Sequence, residues 1–267
     1  MIFFFSGTGN SRYVAEELGQ RLDEETYFIP DIDATTLSLD NDGQKNVKDI
    51  GFIFPVYSWG VPPIVENFIL NLSDTFIDEI KKRNLPVWMV CTCGDETGDT
   101  PEMFRGIMRK RGLGVKGIWS VITPNVYVLL PGFDVDTEEV RIKKIELLEN
   151  RLDDISEQIK RGEWKEDVVL GSMPRLKTRL VYPLFKRWGI FPSKWRAGES
   201  CIQCGKCVET CPVGNITMKH GKPLWGNNCT SCVACYHTCP TNAISYSTVT
   251  RNKGQYLPSQ RPKLHYS

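Results

Sequence analysis

Apolar residues gather in short, unbroken runs along the first half of the chain. Residues 1–5 are apolar without polar alternation, as a strand covered on both faces requires, and the segment that follows carries Val14, Leu18 and Leu22 at helical spacing. Residues 50–54 and 86–91 repeat the apolar run. Each leads into a turn-rich loop and then a helix, announced by Pro62 and Pro101. Thr137 is placed to cap a long amphipathic helix whose stripe is Val140, Ile145, Leu148, Leu152, Ile155 and Ile159, with Gly162 after it. Strands alternating with helices predict an α/β domain with a doubly wound parallel sheet. In such a sheet a ligand sits beyond the carboxyl ends of the strands, where the strand order reverses.

The loops at those ends carry the chemistry. After the first strand come Ser6, Gly7, Thr8, Gly9, Asn10 and Ser11. The glycines let the backbone bend close to an anion, the hydroxyls offer donors, and the first helical turn offers unpaired N–H groups. No Gly-Lys-Ser/Thr follows, so the loop is not a Walker loop, and Arg12 occupies the third glycine position of the dinucleotide fingerprint. The second apolar run ends in Pro55, Val56, Tyr57, Ser58, Trp59 and Gly60, and the third in Thr92, Cys93, Gly94 and Asp95.

With these three loops, residues 1–162 resemble a flavodoxin. The resemblance implies the strand order 2-1-3-4-5 and bound FMN. Ser6 to Ser11 would hold its phosphate, Pro55 to Gly60 would form the first ring loop with Tyr57 or Trp59 stacked on the flavin, and Thr92 to Asp95 would meet its polar edge. Packing alone is the competing account of Trp59. Cys91 reads as a small buried strand residue, whereas Cys93 is either a backbone donor with an idle thiol or a redox-sensitive group. Residues 123–133 would either wrap over the flavin or lead into the last helix, and a connection is the more economical reading.

Eight of the ten cysteines repeat one spacing, Cys201, Cys204, Cys207 and Cys211, then Cys229, Cys232, Cys235 and Cys239, each copy ending in proline. Three thiolates at i, i+3 and i+6 suit three corners of a cuboidal 4Fe–4S core, and the fourth corner needs a cysteine from elsewhere. Structural zinc would leave a surplus cysteine in each copy, and disulfides need an oxidising compartment that the secretory-signal-free start does not predict. Residues 198–247 resemble bacterial two-cluster ferredoxins, a small α+β fold. That resemblance implies crossed ligation: Cys201, Cys204, Cys207 and Cys239 on one cluster, and Cys229, Cys232, Cys235 and Cys211 on the other. Asn215 departs from the family by standing where a small apolar residue is expected. Folding of so short a repeat would depend on its metal.

Charge divides the chain more sharply than hydropathy does. Residues 1–167 hold 19 of the 33 Lys and Arg and 30 of the 32 Asp and Glu, so the acidic half precedes a basic one. Residues 163–197 read as a basic, aromatic linker and 248–267 as a tail. Within residues 174–196, Tyr182, Phe185, Trp188, Phe191 and Trp195 interleave with cations. Filling the seam between domains is the more economical role for this stretch than binding nucleic acid or a membrane surface. His220 and His265 read as solvated, and His237 as a neighbour of the cluster rather than a ligand. No run is long enough to span a membrane, and the protein reads as cytoplasmic.

The two domains together resemble the fused flavodoxin–ferredoxin proteins of anaerobic bacteria and archaea. That resemblance implies electron transfer through two 4Fe–4S clusters and FMN between one-electron and two-electron redox partners. An FMN-dependent reductase of a small organic substrate and a nucleic-acid-binding redox sensor are the alternatives. The protein's partners would be redox proteins, a donor and an acceptor, met by a monomer or a homodimer.

Overall fold

The computed structural model describes residues 1–39, 47–188 and 191–263; His265 lies outside them. In chain order the first half forms β1 (Ile2–Phe4), α1 (Asn10–Leu22), β2 (Thr26–Phe28), β3 (Ile50–Pro55), α2 (Pro63–Leu70), α3 (Asp74–Lys82), β4 (Val87–Cys93), α4 (Thr100–Lys110) and β5 (Gly117–Ile122). Then come α5 (Glu138–Glu146), α6 (Leu148–Lys160) and β6 (Glu166–Asp167). All strands are parallel, in the order β2-β1-β3-β4-β5-β6. The expected doubly wound sheet is present, with a sixth strand added at its edge. Two acidic residues carry no apolar pattern, so nothing in the sequence marks β6.

The unbroken apolar strands have helices on both faces. Phe3 packs with Phe52, Phe68, Phe76 and Phe104 on the side of α2, α3 and α4. Ile2 and Phe4 join Val14, Leu18, Trp88, Trp119, Leu152 and Ile155 under α1 and α6. Burying each such side chain stabilises the fold by about 1.5–3 kcal/mol, which fixes the strand register and with it the placement of the loops.

The long amphipathic helix is divided at Leu147. Leu148, Leu152, Ile155 and Ile159 are buried as expected, but α5 buries none of its residues and Val140 is exposed. Polar contacts fix α5 instead: Lys144 meets Asp136 at 2.8 Å and Arg141 donates to the Gln260 carbonyl at 3.0 Å.

Residues beyond the sheet form α7 (Pro174–Trp188), β7 (Trp195–Ala197), α8 (Lys206–Glu209), β8 (Ile216–Lys219), β9 (Lys222–Trp225), α9 (Ala234–Thr238) and β10 (Ile244–Tyr246). β7 pairs antiparallel with β10, and β8 with β9. Trp195, Ile216, Tyr236, Ile244 and Tyr246 make a third core. Val128 and Leu129, from the stretch read as a mere connection, are buried in that core. Residues 123–133 therefore join the two halves, a correction whose cause is the V-Y-V-L-L run's need for apolar cover. The inner face of α7 buries Thr178, Tyr182 and Phe185 against the first half, and Lys186 meets Glu66 at 2.8 Å.

Candidate functional site

Three loops converge at the carboxyl ends of β1, β3 and β4, where the strand order reverses. Gly9 caps α1 at φ 104°, a conformation open to glycine and costly for any residue with a Cβ. Ser6 Oγ accepts from the Gly9 N–H at 3.1 Å and closes the turn. Ser11 and Thr92 share a hydroxyl hydrogen bond of 2.8 Å that ties the first loop to the third. Asn10 donates to the Pro124 carbonyl at 3.0 Å. No acid stands in the first turn of α1, so its free N–H groups and the positive end of its dipole face the loop unopposed.

Tyr57 and Gly60 close a two-residue hairpin by reciprocal backbone hydrogen bonds of 2.9 Å. Its central residues, Ser58 at φ 47° and Trp59 at φ 61°, are non-glycine residues in the left-handed region, which costs about 1–2 kcal/mol each. Neighbours hold that strain in place. Thr178 of α7 donates to the Trp59 carbonyl at 2.6 Å, the Trp59 indole donates to Glu96 at 2.7 Å, and Lys177 lies over the indole ring and pairs with Glu96. A Cβ on Gly60 would meet the Tyr182 ring at 2.4 Å, so this glycine makes room for α7. In the third loop a Cβ on Gly94 would lie 1.7 Å from Asn125 Oδ1. Burial pushes the Cys93 thiol up to about 12, so it remains a thiol at neutral pH.

One cavity gathers these loops, and every residue assigned to them from sequence lines it except Gly9 and Gly60. Gly9 packs under Arg261 and Gly60 under Tyr182. The cavity also takes in residues 123–127, Leu130 and Phe133, the stretch whose alternative reading was to wrap over this site, and residues the sequence did not assign to it: Glu96, Phe185, and Ser231, Cys232 and Val233 of the second cysteine loop. For residues 123–133 a signal was present in the apolar run. For the rest there was none, because their contacts join residues far apart in sequence.

The cysteines surround two further cavities. Cys201, Cys204, Cys207 and Cys239 line one, and Cys211, Cys229, Cys232 and Cys235 the other. These are the crossed sets that the resemblance implied. Among the described residues no three metal-binding side chains close on a single ion; the thiols stand around spaces instead. Their surroundings suit clusters. The backbone N–H groups of Asn215 and Ala243, at equivalent places in the two copies, each donate to a sulfur, Cys211 and Cys239, at 3.2 Å. Around the second cavity the Trp225 indole N–H and the Thr230 hydroxyl have no hydrogen-bonding oxygen or nitrogen among the described residues and face the sulfurs of Cys235 and Cys232. Buried donors aimed at the cysteine sulfurs suit a cluster that offers thiolate and sulfide acceptors.

Asn215 braces the second cavity rather than merely filling space. Its side chain donates to the Gly226 carbonyl at 3.1 Å and accepts from the Asn228 N–H at 2.7 Å, which holds the approach to Cys229.

The two halves meet at these sheet loops. A Cβ on Gly7 would lie 2.5 Å from the Cβ of Cys232, so Gly7 lets the second cysteine loop reach the loop after β1. Burial, with Cys232 and Cys229 nearby, holds the Tyr57 phenol well above the usual range. His237 is fully buried between the halves. Its Nδ1 accepts from the Tyr256 N–H at 2.9 Å, which leaves Nε2 to donate to the Val126 carbonyl at 2.7 Å. Burial lowers its pKa to about 4, so the ring is neutral at neutral pH.

Residues 200–244 match the 4Fe-4S dicluster domain. That match makes this segment an iron–sulfur domain and supports a redox, electron-transfer role. No curated protein matches the chain. Among solved structures the chain is similar to the Trp repressor binding protein of Bacillus subtilis, at 18% identity over 46% of this chain and 86% of that one, with a TM-score of 0.28. It is also similar to a candidate flavoprotein of Bacteroides eggerthii, at 14% identity over 71% and 97%, with a TM-score of 0.26. Similarity this low carries no argument, and the fold rests on the strand order above. Among the described residues no helix is long and apolar enough to cross a membrane.

Proposed function

We propose that this protein passes electrons through two 4Fe–4S clusters to and from FMN held at the carboxyl end of the sheet. The observation that carries the reading is the shared cavity: Ser231, Cys232 and Val233 line the same space as the three sheet loops, with Cys232 against Gly7. The cluster of Cys211, Cys229, Cys232 and Cys235 is then proximal to the flavin, and that of Cys201, Cys204, Cys207 and Cys239 distal. Residues 1–162 serve as the flavin domain and 198–247 as the cluster domain.

Each cluster moves one electron, while bound FMN can take up two in succession, so the pair links one-electron and two-electron partners. The chain's own residues position and insulate. Ser6 to Ser11 would take the phosphate, Tyr57 and Trp59 would flank the ring, and the backbone from Thr92 to Asp95 would meet its polar edge. Tyr127, Leu130, Phe133 and Phe185 supply apolar walls that keep water from the ring. The distal loop, with Cys204 exposed and Ile202 62% exposed, is the surface on which a protein partner would dock.

A reductive titration of the purified protein, followed by paramagnetic resonance and absorbance, tests the reading. Two magnetically interacting clusters and one FMN per chain are expected. Protein that retains its clusters yet neither carries nor takes up FMN would refute it.

A further inference from the structure

We infer that Arg261, from the tail beyond the cluster domain, completes an anion subsite at the phosphate loop and selects a phosphate monoester. This rests on the flavin reading of the cavity and adds to it the charge that the phosphate would meet. The loop from Ser6 to Ser11 contains hydroxyl and backbone donors but no cation. Arg12, the nearest in sequence, is turned away: its guanidinium lies over the rings of Phe4 and Phe28, at 5.1 and 4.9 Å, and meets Glu16 at 3.3 Å.

Arg261 is turned toward the loop. A side-chain carbon on Gly9 would come within 3.0 Å of its Cδ, 3.3 Å of Nη1 and 3.4 Å of Nε. Among the described residues its Nε and Nη2 are buried and have no hydrogen-bond partner. Two buried guanidinium nitrogens without partners are costly on a half-buried side chain, and their place beside a turn of free N–H groups calls for an anion.

The tail is built to present it. Tyr256 donates its hydroxyl to Asn10 Oδ1 at 2.9 Å, and the Tyr256 N–H donates to His237 at 2.9 Å. Arg141 of α5 grips the Gln260 carbonyl at 3.0 Å, one residue before Arg261. The tail that carries Arg261 is therefore anchored to the loop after β1, to α5 and to the second cysteine repeat at once. An anion bound there would tie both halves to the same ligand.

The test uses the full chain with its clusters intact and its flavin removed, titrated with FMN and separately with riboflavin, which lacks the phosphate. Quenching of flavin fluorescence gives each Kd. Arg261→Gln is expected to weaken FMN binding by about 10- to 100-fold while leaving riboflavin binding within about 3-fold, as loss of a charge-assisted contact requires. Arg261→Lys should recover part of the loss, Arg12→Gln should cause none, and added salt should weaken FMN binding to the wild type more than to Arg261→Gln. Equal FMN affinity in the wild type and Arg261→Gln would overturn the subsite and leave the flavin reading standing. So would equal weakening of both flavins, which marks a structural role. A wild-type protein that binds neither flavin would end the flavin reading and the subsite with it.

Discussion

Gln203 and Ser231 hold equivalent places in the two cysteine copies and share a left-handed backbone, at φ 60° and 56°; so do Gly205 and Val233, at 75° and 55°. The chain thus builds one loop twice, but with different surroundings. At Gly205 a Cβ would meet nothing within 4 Å, and the loop around it exposes Cys204 and Ile202. At Val233 the side chain is 4% exposed, packs in the third core and lines the cavity shared with the sheet loops. A β-branched residue in this conformation is an outlier, held because the packing around it outweighs the strain. Spacing marks both copies as candidate ligand loops, and contact buries one between the halves and leaves the other at the surface.

Removing iron should erase the comparison altogether. Chelation is expected to unfold residues 198–247, read as loss of the tryptophan signal from Trp195 and Trp225, while the sheet domain keeps its helical circular dichroism. Breaking only the proximal side comes next. Gly7→Ala drives a methyl into Cys232 and should cost about 1–3 kcal/mol in urea denaturation followed by cluster absorbance, and should slow reduction of the flavin by the clusters at least about tenfold. Asn215→Ala leaves the Gly226 carbonyl and the Asn228 N–H unpaired, with an expected loss of roughly 1–3 kcal/mol and a shift in the signal of the proximal cluster alone. Gly205→Val isolates the backbone strain that Val233 carries, since there is space for the side chain. It should destabilise by about 1–2 kcal/mol without changing transfer to the flavin. Smallest in stability is Ile202→Glu at the distal surface, expected within about 0.5 kcal/mol of the wild type but several-fold slower in accepting electrons from an external protein donor.

What could be read from the chain follows the range of the interactions involved. The cysteine sets were legible because cluster chemistry fixes residue type and spacing, and the three sheet loops because glycines and hydroxyls follow directly on buried strands. Gly9 and Gly60 belonged to those loops by sequence, yet their missing side chains make room for Arg261 and Tyr182, partners far along the chain. Gly7 suggested close approach to an anion, and the structure adds the approach of Cys232. Asn215 stood out as a departure, but its role depends on hydrogen bonds to Gly226 and Asn228 across the loop. The joining of the halves through Val128, Leu129, His237 and Tyr256 needed the fold, because no local pattern says which core an apolar run will enter.

If the proximal cluster and the flavin exchange electrons within one chain, flash reduction of the clusters, with flavin absorbance followed in time over a wide range of protein concentration, reports it. The flavin reduction rate should not change with concentration in the wild type and should fall in Gly7→Ala. A rate that rises in proportion to concentration would place the transfer between molecules and contradict it.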